Sequence, residues 1–176
     1  MYFWTFKCRV VVAYIIKRTN EYNERVRCKE RVTMPVMRIN LLLYFIQVEY
    51  IKRTGKCMFS DKFYAFPSGP AIPCVYDYFM NINEDKQIKE IKYIVNYSDI
   101  SDVMKKTIDY VLEHTYCMDA IDLSLLSRVF DGPWDLKYEK NDIRHRQVIS
   151  KKMIEQYYGD KELFSDVKSR RRVLKK

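Results

Sequence analysis

Apolar residues recur three and four positions apart along most of this chain, in stretches stopped by residues that helices exclude. Val11, Val12, Ile15 and Ile16 predict a first helix over about 8–22, closed by Lys17-Arg18-Thr19-Asn20, where cations suit the helix C-terminus and Asn tolerates a left-handed position. The charged stretch 23–32 reads as loop or as a solvated helical turn. Thr33 can cap a second helix with Pro35 in its first turn; Val36, Ile39, Leu43, Ile46 and Tyr50 form one face, and Leu42, Phe45 and Ile51 widen it until little of the helix is polar. A helix apolar over most of its circumference is a central one. Asn40 and Gln47 are expected to bond loop backbone there, because buried amides need partners.

Gly55 ends that helix, and the stretch 58–66 suits a short strand or an extended loop. Pro67 holds Phe66 extended and Ser68-Gly69-Pro70 marks a turn, after which Pro73 opens a third helix over 74–80. Residues 81–97 fit helix or strand equally. Ser98 can cap a fourth helix with the stripe Ile100, Val103, Met104, Ile108, Val111 and Leu112, with Asp99 and Asp102 in its first turn. A fifth, over 119–129 with Ile121, Leu125 and Leu126 apolar, stops at Asp131-Gly132-Pro133, and Trp134 reads as a lid on the helix ends. After a polar loop, Ser150 caps a sixth helix that turns Met153, Ile154, Tyr157 and Tyr158 inward and ends at Gly159; Leu163, Phe164 and Val167 can dock the C-terminal segment onto the core. The fold class is therefore mainly α: a compact single-domain bundle of about six helices, with a small strand pair near 58–66 and 88–95.

Composition changes this picture little. With 176 residues, 48% of them hydrophobic, the chain can bury one substantial core, and 4 Gly and 5 Pro argue against an all-β design. The net charge of +9 favours acidic partners, and much of the excess lies in 7–31 and 168–176. Five scattered cysteines without Cys-x-x-Cys spacing argue against zinc or a disulfide framework and fit reduced thiols in the cytoplasm. The apolar N-terminus is broken by Lys7 and Arg9 and reads as structural; no charge-free run approaches the ~20 residues of a membrane span.

Candidate chemistry is sparse. No phosphate loop, nucleophile elbow or His-Glu-x-x-His pair is present. His114 and Cys117 are three apart, a spacing that permits a thiolate–imidazole pair, but nothing nearby orients it, so an ordinary helix-end histidine beside a buried cysteine is the simpler reading. His145, between Arg144 and Arg146, reads as surface. The pairs Asp99/Asp102 and Asp119/Asp122 suit helix N-termini better than a metal, so no enzyme activity, cofactor or metal is expected.

One resemblance adds function. Leu41-Leu42-Leu43-Tyr44-Phe45-Ile46-Gln47, Thr54-Gly55-Lys56, Phe59, Phe66, Ser68-Gly69-Pro70, Ile72-Pro73 and Tyr76 together resemble the signature of the Panacea, or SocA-like, antitoxin domain. Gly132-Pro133-Trp134 and the closing Ile149, Ile154 and Tyr157 echo later family elements, and Arg128 stands where the pattern has a histidine after Leu126-Ser127. The resemblance spans roughly 10–158. It implies a domain over 1–158, with 1–9 as an extension and 159–176 as a basic tail. Tyr44, Gln47, Phe66, Gly69, Pro70, Pro73, Tyr76 and Trp134 are then the motif residues, structural or partner-binding. The implied function is that of a cytoplasmic antitoxin of phage or bacterial origin that binds and neutralises a toxin encoded by an adjacent gene, or of a proteolytic adaptor. A nucleic-acid-associated regulator is the alternative, with Arg170, Arg171 and Arg172 as an anion-binding cluster; no membrane partner is expected.

Overall fold

The computed structural model describes residues 4–82, 88, 95–138 and 147–165. Six helices lie among them: α1 (Phe6–Arg25), α2 (Val36–Thr54), α3 (Pro73–Ile82), α4 (Asp102–Thr115), α5 (Ala120–Ser127) and α6 (Lys151–Tyr158). Three short strands, β1 (Phe63–Phe66), β2 (Gly69–Ala71) and β3 (Val148–Ile149), form an antiparallel sheet in the order β2-β1-β3. The fold is mainly α, as the periodicity predicts, with a strand inside 58–66. That strand pairs with β2 and β3; the expected partner near 88–95 lies, Ile88 and Val95 apart, outside the described residues.

α2 is the centre. Every residue from Arg38 to Glu49 is buried, and the helix packs against all five others and β2. Its two interior amides fasten one segment at both ends. Asn40 Oδ1 accepts from Ile72 N at 2.9 Å, while Gln47 Oε1 accepts from Met58 N at 2.9 Å and Gln47 Nε2 donates to Phe59 O at 3.0 Å. Seven residues apart, the two amides lie on one face of α2 about two turns from each other. They satisfy backbone groups where chain enters and leaves the sheet, so the hairpin is held along the helix. Gln47→Leu strands a buried donor and a buried acceptor and is expected to cost about 2 kcal/mol, read as a lowered urea midpoint at unchanged slope.

Local signals moved several boundaries. α1 begins earlier than expected, capped by Thr5, whose hydroxyl accepts from Cys8 N at 3.3 Å while Asp61 takes the Thr5 N–H at 2.9 Å. It also runs past Asn20 to Arg25, since Tyr14, Ile15, Ile16 and Thr19 are buried and packing carries the helix on. Pro35, not Thr33, is the N-cap of α2. Ser101, not Ser98, caps α4, accepting from Met104 N at 3.4 Å; Ser98 and Asp99 belong to a preceding 3-10 turn. Val103 is exposed rather than part of the α4 stripe. α5 stops at Ser127, and the left-handed residue after it is Asp131, with φ 59°. Trp4, Cys8, Leu163 and Phe164 are all buried in the core, so described residues from both the expected extension and the tail join the main packing.

Candidate partner-binding groove

The hairpin that α2 holds forms one wall of an apolar groove. Its turn is Pro67-Ser68, and Gly69 and Pro70 already belong to β2, one step earlier than the sequence suggests. Pro70 is tolerated in the ladder because Ala65, opposite it, sends its own N–H to Gln147 O at 3.0 Å on the other side. Gly69 has φ +118°, and a Cβ there would lie 2.6 Å from Ser127 Oγ and 2.8 Å from Leu41 Cδ2. Only glycine lets β2 lie so close against α2 and α5.

The groove, about 420 Å³, runs between the first turns of α2 (Val36, Met37, Asn40, Leu41), the hairpin from Phe66 to Ala71, and Tyr76 and Met80 of α3. None of its lining residues carries a carboxylate, imidazole, thiol or amine; its hydroxyls belong to Ser68 and Tyr76, and the rest of the lining offers mainly shape and apolar area. Trp134 backs it: its indole donates to Phe66 O at 2.8 Å, its ring stacks on Tyr138 with centroids 4.4 Å apart, and the Arg128 guanidinium sits 5.5 Å from the ring centroid. Arg128 thus folds over Trp134 and toward Pro67 O.

Of the motif residues, Phe66, Gly69, Pro70 and Tyr76 converge on this groove, Trp134 lies directly behind it, and Pro73 starts α3 beside it. Tyr44 and Gln47 do not reach it. Tyr44 is wholly buried against Phe45, Phe63 and Tyr158, and Gln47 serves the 58–59 backbone. Arg170, Arg171, Arg172 and His145 lie outside the described residues.

Sequence reasoning missed Arg38. It is fully buried, and its guanidinium donates to Thr115 O at 2.8 Å and to Met118 O, the last carbonyls of α4 and the link to α5. The available signal was its place on α2 in register with Leu42 and Phe45, where a charge needs a helix end to answer it.

The other candidate groups have structural work. His114 Nδ1 lies 2.8 Å from Tyr110 O and its ring stacks on Phe164, while Cys117 is exposed, not buried as expected. Burial raises the thiol pKa of Cys8, Cys57 and Cys74, which disfavours their thiolates. Asp119 and Asp122 form a capping box on α5, Asp119 accepting from Ile121 N and Asp122 N at 2.8 Å. No cluster of three potential metal ligands occurs among the described residues, and no helix among them is long and apolar enough to cross a membrane.

Compared with known families, residues 40–135 match the model for the antitoxin SocA-like, Panacea domain. That range includes Asn40, the hairpin, α3, α4, α5 and Trp134, hence most of the groove. No curated protein and no solved structure matches the chain.

Proposed function

The chain belongs to the antitoxin SocA-like, Panacea domain family, and we propose that it neutralises a partner toxin by direct binding, without catalysis of its own. The observation carrying this reading is the family match itself, laid over elements that build an uncharged apolar groove. Such a surface suits the apolar core of a protein–protein interface. In this reading the protein works in the cytoplasm of a bacterial or phage-infected cell, against the product of a neighbouring gene.

The test is co-expression with that neighbouring product. Growth is restored and the two proteins co-purify; continued growth arrest with no complex removes the proposal. Met80 is exposed on the groove wall, so Met80→Asp can place a carboxylate there without opening the core. It is expected to weaken the complex by about tenfold or more in a titration, because desolvating an unpaired charge at an interface is costly.

A further inference from the structure

α5 leaves two of the apolar residues that its sequence offers to the core, Ile121 and Leu125, in solvent. The buried side is Leu123, Ser124 and Ser127, where Ser124 Oγ donates to Ser68 O at 2.7 Å and Ser127 Oγ to Ser124 O at 2.8 Å. Two serines bring the helix close to the hairpin and leave the larger Ile121 and Leu125, one turn apart, outside at 64% and 58% exposed. Phe130, at 88%, and Leu136, at 59%, are likewise exposed in the turns that follow the helix. Of the seven large hydrophobic residues exposed among the described residues, these four fall within one short segment, so it is here that apolar area is concentrated.

Its charge is the opposite of the chain's. Across Asp119–Leu136 stand Asp119, Asp122, Asp131 and Asp135 against one cation, Arg128, which is turned onto Trp134, whereas the whole chain carries +9. Acidic residues in the same segment as an exposed aliphatic stripe disfavour nucleic acid and anionic surfaces. Its complement is a basic segment with an apolar face.

Resting on the reading that this chain binds a protein, we propose that α5 and the turn after it dock a basic, amphipathic segment of that partner. The Pro67-Ser68 turn that lines the groove also receives the Ser124 bond, so α5 packs beside the groove through its buried side.

The probe is a fluorescent amphipathic Lys/Leu helical peptide, titrated into the full-length protein and followed by anisotropy, with a Glu/Leu peptide of the same pattern as control. The Lys/Leu peptide is expected to bind at least about tenfold tighter than the control, with added salt weakening it. Ile121→Ser with Leu125→Ser removes the stripe, and Asp122→Asn with Asp131→Asn and Asp135→Asn removes charge while keeping acceptor oxygens; each set should cost about tenfold, with circular dichroism unchanged. Equal binding of both peptides, or folded variants that bind like the wild type, overturns the proposal. So does a homodimer that the serine variant dissolves, which assigns the face to a second copy, or peptide binding seen only after Arg170, Arg171 and Arg172 are changed to Gln, which assigns it to the chain's own tail. Growth rescue keeps the readings apart: a wild type that binds the peptide but rescues nothing keeps this surface and loses the antitoxin role, whereas variants that rescue fully lose the surface alone.

Discussion

Gly69→Ala is expected to lower stability by about 3 kcal/mol, the sum of backbone strain and overpacking. The φ of +118° lies in a region that side chains rarely adopt, so part of the cost exists whatever the surroundings. The rest comes from Ser127 Oγ and Leu41 Cδ2, which a new Cβ would meet at 2.6 and 2.8 Å. Both contacts are side-chain ends: the Ser127 hydroxyl is buried and tied to Ser124 O at 2.8 Å, and Leu41 can give way only toward the groove that it lines. Adding Ser127→Ala removes the nearer obstacle and should return about 1 kcal/mol, leaving the backbone term untouched. Urea unfolding of the single and double variants isolates the Ser127 share, and what remains is backbone strain together with the Leu41 contact. Full recovery in the double variant would mean that the backbone conformation carries no strain. A folded Gly69→Ala protein should also bind its partner less well, because any retreat of β2 from α2 reshapes the groove wall.

Which parts of this architecture are legible in the sequence depends on which forces act locally. The centrality of α2 can be read because continuous apolar character has one physical outlet, burial on several sides, and Asn40 and Gln47 on such a helix have to find backbone partners. Helix starts are less legible. Ser98 and Ser101 are both competent caps, and Ile100, buried at the junction, settles the choice through tertiary packing. α5 misleads for a related reason: its apolar Ile121, Leu123, Leu125 and Leu126 are spread round the helix rather than gathered on one face, and contacts of Ser124 and Ser127 with the hairpin turn Ile121 and Leu125 outward. Hairpin punctuation is visible in Pro67, Gly69 and Pro70, but their meeting with Tyr76 and Met80 across a groove depends on how α3 returns over α2, which no local signal contains.

Arg38→Ala should be the most damaging change, at about 4 kcal/mol, because it takes the donor from the Met118 carbonyl, leaves Thr115 O with the Met118 N–H alone, and opens a cavity beside α2. Burial pulls the Arg38 pKa down to about 10, with Asp119 the first of the nearby groups holding it up, so the side chain remains cationic at neutral pH. A depressed cation costs stability below its folded pKa, and that cost fades as pH rises from about 10 toward the unfolded value; between pH 6 and 9 the contribution is level. The cation persists because the α4 carbonyl of Thr115 and the Met118 carbonyl beyond it answer it at the negative end of a helix. Arg38→Met restores most of the volume without donors, so the gap between Ala and Met measures packing and what remains measures the lost hydrogen bonds. Arg38→Lys keeps the charge but not the fork, and should still lose about 2 kcal/mol. Because Met118 immediately precedes the Asp119 cap, Arg38 also sets where α5 begins relative to α2. A folded Arg38→Met protein should therefore show lowered affinity for the basic peptide together with its lowered urea midpoint. If the midpoint falls and peptide affinity does not, the α4–α5 link tolerates the loss and α5 is placed by its serine contacts with the hairpin.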